Sequence, residues 1–169
     1  MDAQIDKATL LNNVRSGRSR LDALLATFTD EQMARPGVEG DWSVKDVIAH
    51  ITWHEREIVN MLRARSLENG VASELWGLPT HERNRAIYEG NRDRSLQDVL
   101  AEARQVYAEL GELLAGLSEA DLTDPGRYKD MPAEWQPWKI IAENTYEHYR
   151  DHMEVMGGTS NEERVTRNS

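Results

Sequence analysis

The sequence contains no cysteine. Disulfides, thiolate metal ligands and a cysteine nucleophile are therefore excluded. Any metal must be held by His, Asp or Glu, and thiol chemistry would need a thiol that the protein does not supply. The sequence also lacks any run of about 18 apolar residues, the length that reads as a membrane-spanning helix, so no membrane association is expected. The segment Met1-Asp2-Ala3-Gln4-Ile5-Asp6 has neither the basic stretch nor the apolar core of a signal peptide, and a cytoplasmic location is the expectation. No dense cluster of Lys and Arg is present: 20 basic against 30 acidic residues leave a formal net charge of −10. Nucleic-acid binding relies on a basic footprint that neutralises phosphates, so this balance argues against a nucleic-acid partner. Phosphate-cradling glycine loops, a Gly-x-Ser-x-Gly elbow and a His-Glu-x-x-His sequence are missing too. Histidine is scarce, with five residues in the whole chain.

What remains is the material of one helical domain. The chain has 169 residues, 39% hydrophobic and 30% charged, enough to bury a core under a very polar surface. Apolar residues recur in threes and fours from Ile5 to Phe28 (Leu10, Leu11, Val14, Leu21, Leu24, Leu25), predicting a first long helix. Thr29 to Gln32 reads as a short capped turn, ended by Pro36-Gly37. Ser43-Val44-Lys45-Asp46 is a capping box that opens a second long helix to about Ser66. A mixed connection from Leu67 to Arg94 is broken at Gly70, Gly77 and Pro79, with a shorter helix from about Thr80 to Glu89. Ser95-Leu96-Gln97-Asp98 opens a third long helix to about Leu117. Pro137 suits the first turn of a fourth, predicted to run to about Met156 and to stop at Gly157-Gly158. Residues 1–157 thus read as one domain and 158–169 as a polar, flexible tail.

An internal repeat organises these helices. Leu24-Leu25-Ala26-Thr27-Phe28-Thr29-Asp30 reappears as Leu113-Leu114-Ala115-Gly116-Leu117-Ser118-Glu119, and Pro36-Gly37 matches Pro125-Gly126 at the same offset. Val47-Ile48-Ala49 matches Ile140-Ile141-Ala142, and Trp53 matches Tyr146. Two pseudo-repeat hairpins joined by the long connection predict an all-α fold: a four-helix bundle with a long crossover between its second and third long helices.

Four of the five histidines fall in two pairs, His50 with His54 and His148 with His152, each four residues apart on one of the repeat-related helices. Residues at that spacing share a helix face, so the backbone orders two imidazoles in advance. Neutral imidazole suits Zn, Ni, Cu or Fe(II), and catalytic zinc sites commonly use three protein ligands with one open position. If the second and fourth helices run antiparallel, His50 lies level with His148 and His152. It also belongs to the apolar stripe containing Val47, so it should face inward. His54, one turn on beside the charged run Glu55-Arg56-Glu57, reads as a pocket residue next to the ligands. His81 reads as surface. Trp53, Asn144, Glu143, Tyr146 and Tyr149 are placed near the site, and Trp135 and Trp138 are further aromatic candidates. Trp42 and Trp135 read more simply as core caps at the bundle ends, and Glu143 and Glu55 more simply as exposed helix glutamates.

Asp41-Trp42-Ser43-Val44-Lys45-Asp46-Val47-Ile48-Ala49-His50-Ile51 resembles a signature of the DinB-like superfamily, and Asn144-Thr145-Tyr146-Glu147-His148-Tyr149-Arg150-Asp151-His152 resembles its second histidine segment. The stretch Arg83 to Arg94 resembles the ClbS/DfsB-like branch. The resemblance covers the chain to about residue 157. It implies a divalent metal, zinc or nickel, on His50, His148 and His152, and a homodimer. It also implies an enzyme acting on an electrophilic small molecule, by thiol S-transfer with a low-molecular-weight thiol or by hydrolysis. The alternative it carries is a resistance protein that sequesters a toxic small molecule without catalysis.

Overall fold

A computed structural model of the chain describes residues 4–68 and 74–167, with side chains described to residue 157. The described residues form helices joined by turns and loops, and no helix among them is long and apolar enough to cross a membrane. Helix α1 spans Lys7–Leu25, and the Asp6 side chain caps it by accepting from the Thr9 amide at 2.7 Å. The short helix α2 (Asp30–Ala34) begins at a full capping box of Thr29 and Gln32. Helix α3 (Val44–Ala64) begins at the predicted box of Ser43 and Asp46. After a 3-10 turn at Glu74–Gly77 come α4 (Thr80–Asn91), α5 (Leu96–Ala115) and the short α6 (Glu119–Thr123). The fourth long element is divided into α7 (Pro137–Glu143) and α8 (Tyr146–Arg167).

The repeat is visible in these elements. Thr29 and Ser118 cap the equivalent helices α2 and α6 by the same reciprocal bonds, and Val47-Ile48-Ala49 and Ile140-Ile141-Ala142 are all buried. The two Pro-Gly pairs behave differently. Gly37 takes a left-handed φ of 103°, whereas Pro125-Gly126 lies in a 3-10 turn, where the Gly126 amide donates to Asp124.

Helix α3 is the centre of the bundle. It packs on α5, α4 and α8, and α1 packs on α8. Buried residues cover most of the circumference of α3, with a less buried stripe at Lys45, Trp53, Arg56, Asn60 and Arg63, which is why several of its polar residues are buried as well. The apolar core has two layers, one around Leu10, Val14, Ile58 and Leu110 and one around Leu21, Val47, Ile51 and Ala103. Between them lies a buried polar seam. The Arg18 Nη1 donates to both Glu55 carboxylate oxygens at 3.0 and 3.1 Å, and the Tyr149 hydroxyl donates to Glu55 at 2.7 Å. Glu55 is completely buried, contrary to the exposed helix glutamate that the sequence suggested. The reason is that α1, α5 and α8 all meet this part of α3. Gly17 lets α1 and α8 close together, because a Cβ there would stand 3.0 Å from that of Tyr146.

Two helix limits differ from the sequence reading. The break between α7 and α8 falls at Asn144 and Thr145, whose side chains donate to the Ile140 and Ile141 carbonyls at 2.8 and 2.6 Å. Such back-bonding competes with regular helix. Helix α8 passes through Gly157 and Gly158 to Arg167; glycine weakens a helix by about 1 kcal/mol but does not forbid it. The predicted break at Gly70 lies outside the described residues.

Candidate functional site

The path of α3 against α8 gathers the two histidine pairs. His50 Nε2 lies 3.1 Å from His148 Nε2, and His152 Nε2 lies 2.9 Å from the same atom. His54 meets Asn144, the residue four before His148, through an Nδ1–Oδ1 contact of 2.8 Å. Rising numbers on α3 thus meet falling numbers on α8, so the helices are antiparallel as the sequence argument required. His54 lies further into the cluster than the sequence suggested. Its ring is 4.7 Å from that of His50 and 4.3 Å from that of His148, and one ligand atom from each of the three lies within 4.8 Å of the others.

Neighbouring groups fix which nitrogens face inward. A carboxylate only accepts, so His152 Nδ1 must donate to Glu39 Oε2 at 2.8 Å, leaving a lone pair on Nε2. The Asn144 Nδ2 is committed to the Ile140 carbonyl. Its oxygen therefore faces His54, whose Nδ1–H donates to it, again leaving a lone pair on Nε2. The Nδ1 atoms of His50 and His148 are buried without a hydrogen-bond partner.

The donor set fits a divalent ion. A tetrahedral centre with bonds of about 2.0–2.1 Å holds its ligand nitrogens about 3.4 Å apart, close to the spacings found here. Ligand histidines must also be neutral. Burial lowers His54 to about 4, the Asn144 bond opposing this in part, and lowers His50 to about 2 with help from its neighbours His54 and His152. Burial likewise drives His148 far below the ordinary histidine range.

These shifts carry a sign. The unfolded chain takes up protons on these imidazoles below about pH 6.5, while the folded chain resists until much lower, so acid favours unfolding. Each group contributes up to about 1.4 kcal/mol per pH unit. With metal chelated, the urea midpoint should fall steeply from pH 6.5 to 5. A flat profile there would contradict the buried, neutral cluster.

Aromatic residues wall the cluster on two sides. Trp42, half-buried, packs against His50 at 5.2 Å and stacks on Tyr88 of α4 at 5.8 Å. It packs against the core layer around Leu21 and Val47, as the sequence suggested, and borders the site as well. Trp53 and Trp76 flank His54 at 5.0 and 5.5 Å, and Arg83 lies over the Trp76 ring at 4.5 Å. Glu57, one turn beyond His54, is buried, and burial raises its carboxyl to about 7 against the pull of Trp76. The sequence reading missed Glu39, Glu57, Trp76 and Arg83. Only Glu57 left a signal, since it extends the His50–His54 spacing along one helix face.

Several expected neighbours lie elsewhere. Glu143 is exposed and lines a shallow depression with Trp135 and Lys139. The helix break after it turns α8 relative to α7, so its repeat equivalence with His50 does not place it at the site. Trp135 is 41% exposed and caps no core. Tyr149 belongs to the Arg18–Glu55 seam. Tyr146 packs against α1 at Gly17, and Trp138 packs against the lower core layer. His81 is exposed, as expected. A cavity of about 400 Å³ between α1, α3 and α5 is lined by Leu21, Phe28, Ile51 and Leu100 together with Arg18 and Glu55 of the seam, and by none of the histidines.

Among curated proteins, none matches the chain. Its structure is similar to that of an uncharacterised protein from Escherichia coli UTI89, with 20% identity, 96% of each chain covered and a TM-score of 0.74. It is similar to the colibactin self-resistance protein ClbS, solved in complex with double-stranded DNA, with 16% identity, 90% of this chain and 94% of that chain covered and a TM-score of 0.74. It is also similar to the Sibling Lethal Factor Precursor DfsB, with 16% identity, 96% and 99% covered and a TM-score of 0.71. At such identities these likenesses are of fold. The profile of the DinB superfamily matches residues 14–156, most of the chain and both histidine pairs, and the protein belongs to the DinB superfamily.

Proposed function

We propose that the histidine cluster holds one divalent metal, zinc or nickel, on His50, His148 and His152, and that the protein is an enzyme acting on an electrophilic small molecule. The observation that carries this reading is the approach of the His50 and His152 Nε2 atoms to His148 Nε2, at 3.1 and 2.9 Å, with the Glu39 carboxylate orienting the outermost ring. A divalent ion there supplies Lewis acidity, which makes a water or an external thiol nucleophilic at neutral pH. The protein's own groups bind and orient. Glu39 and Asn144 hold two imidazoles in the required tautomer. The indoles of Trp42, Trp53 and Trp76 form walls that exclude water and receive an apolar substrate. His54 is a pocket residue fixed by Asn144. The absence of cysteine is consistent with an external low-molecular-weight thiol.

The test is metal analysis of protein prepared without a histidine tag, combined with turnover of an electrophile panel with and without added thiol. The reading fails if the protein carries no stoichiometric metal. Glu39→Ala should weaken metal affinity by about 10–100-fold, the usual effect of losing a ligand's hydrogen-bonding partner. A competition titration against a chromogenic chelator measures it.

A second reading is a member of the ClbS/DfsB-like branch that sequesters a toxic small molecule. The aromatic walls favour it, as does the self-resistance role in the description of ClbS. Stoichiometric capture without turnover would select it. A homodimer is the expected assembly under either reading. The net charge of −10 argues against a nucleic-acid partner, but the structure of ClbS with double-stranded DNA leaves that expectation unsupported.

A further inference from the structure

The arginines of this chain are mostly exposed or paired. Among the described residues, Arg18, Arg56, Arg83 and Arg94 are the ones that are not exposed. Arg18 pairs with Glu55 and Asp22, Arg56 with Glu102, and Arg94 with Glu102. Arg83 has no carboxylate partner within 4.0 Å among the described residues, although the chain has 30 acidic side chains. Its Nε is buried and makes no hydrogen bond. A half-buried cation left with an unsatisfied donor is an unfavourable arrangement for stability alone.

Its position accounts for it. The guanidinium lies 4.5 Å above the Trp76 ring, which stands edge-on to His54 at 5.5 Å and packs against Trp53 at 5.3 Å. Stacking on the indole fixes the planar fork without neutralising it. Its charge reaches His50 and His54, helping to keep both rings neutral. An apolar wall, a metal-competent cluster and an uncommitted planar cation therefore share one site. A guanidinium fork matches a carboxylate in shape and charge.

We propose that Arg83 is the anion-receiving group of the histidine site, and that the small molecule acted on there carries a carboxylate on an apolar body. This inference rests on the reading of the cluster as the functional site, and it adds the class of substrate. Arg83 binds the carboxylate, Trp53 and Trp76 pack against the apolar part, and the bond under attack is presented to the histidines.

The test compares phenylacetate with its neutral isostere phenylacetamide by calorimetric titration, on both metal-loaded and chelator-treated protein. The wild type should prefer the acid by about tenfold or more, one charge-assisted hydrogen-bonded contact. Arg83→Gln, which keeps a planar polar group over Trp76, should abolish the preference, and Arg83→Lys should retain part of it. Circular dichroism of each variant checks the fold. The inference is overturned if phenylacetate does not bind, if acid and amide bind alike, or if Arg83→Gln keeps the preference. The arms separate it from the metal reading. An Arg83-dependent preference in protein that takes up no metal sustains the anion site and sinks the metal. Stoichiometric metal without the preference does the reverse.

Discussion

Replacing His148 with alanine should empty the metal site while leaving the bundle folded. His148 Nε2 is the atom that both His50 and His152 approach, at 3.1 and 2.9 Å, so its loss removes the middle of the donor set. The fall in affinity should exceed the roughly 10–100-fold expected for losing a second-layer partner such as Glu39. Stability should change in the opposite direction to what core truncation normally does, or barely at all. In the metal-free protein His148 is a desolvated ring whose Nδ1 lacks a partner, and removing a buried, unsatisfied polar group relieves a penalty of about 1–3 kcal/mol. That relief offsets the cavity left behind. Metal content by mass spectrometry and urea unfolding in chelator test the two halves separately. Full metal occupancy in the variant would dismiss His148 as a ligand and shift the choice to another nitrogen set. Parallel measurements on His54→Ala and His152→Ala decide which triad is used: on our reading the first retains metal and the second loses it.

Replacing Glu55 with methionine should be the most damaging single change to folding, at about 3–5 kcal/mol. The carboxylate accepts two bonds from Arg18 and one from Tyr149 in a seam shut off from water. Burial pushes the Glu55 carboxyl up, while Arg18 and the Tyr149 hydroxyl pull against that rise. Without the carboxylate, Arg18 is left as a charge between two apolar layers, with the exposed Asp22, the Ala103 carbonyl and the Tyr107 ring as its remaining partners. The double variant Arg18→Met with Glu55→Met should recover most of the loss, because two apolar side chains of similar size suit such a layer at least as well as an ion pair. Equilibrium denaturation of the single and double variants, analysed as a thermodynamic cycle, reads the coupling. A double variant as unstable as Glu55→Met alone would mean that the polar network specifies the packing and does not merely tolerate burial.

The fold was largely legible because its signals were local and redundant. The capping residues Thr29, Ser43 and Ser95 each announce a helix start within four residues, and the apolar spacing supplies the inward faces. The histidine pairs were legible because spacing fixes a helix face, and the repeat placed both pairs on partner helices. What the sequence hid depends on tertiary approach. Glu39 reaches His152 from a loop 113 positions away, and no periodicity encodes such a contact. Arg83 and Trp76 meet the site only through the way the crossover folds back onto α3. Glu55 and Tyr149 looked like a surface glutamate and a pocket aromatic, since helix periodicity cannot reveal how much of α3 its neighbours cover.

The interruption at Asn144 and Thr145 gives the chain two adjustable phases where an unbroken helix would have one. Ahead of it, Ile140 and Ile141 are locked into the core by the repeat. Beyond it, the azimuth of α8 decides which side chains meet α3. Adding or removing one residue at the joint would swing His148 and His152 by about 100° without moving the isoleucines. Related chains can therefore rotate the imidazoles out of the centre, or rotate other groups in, while keeping the same scaffold intact.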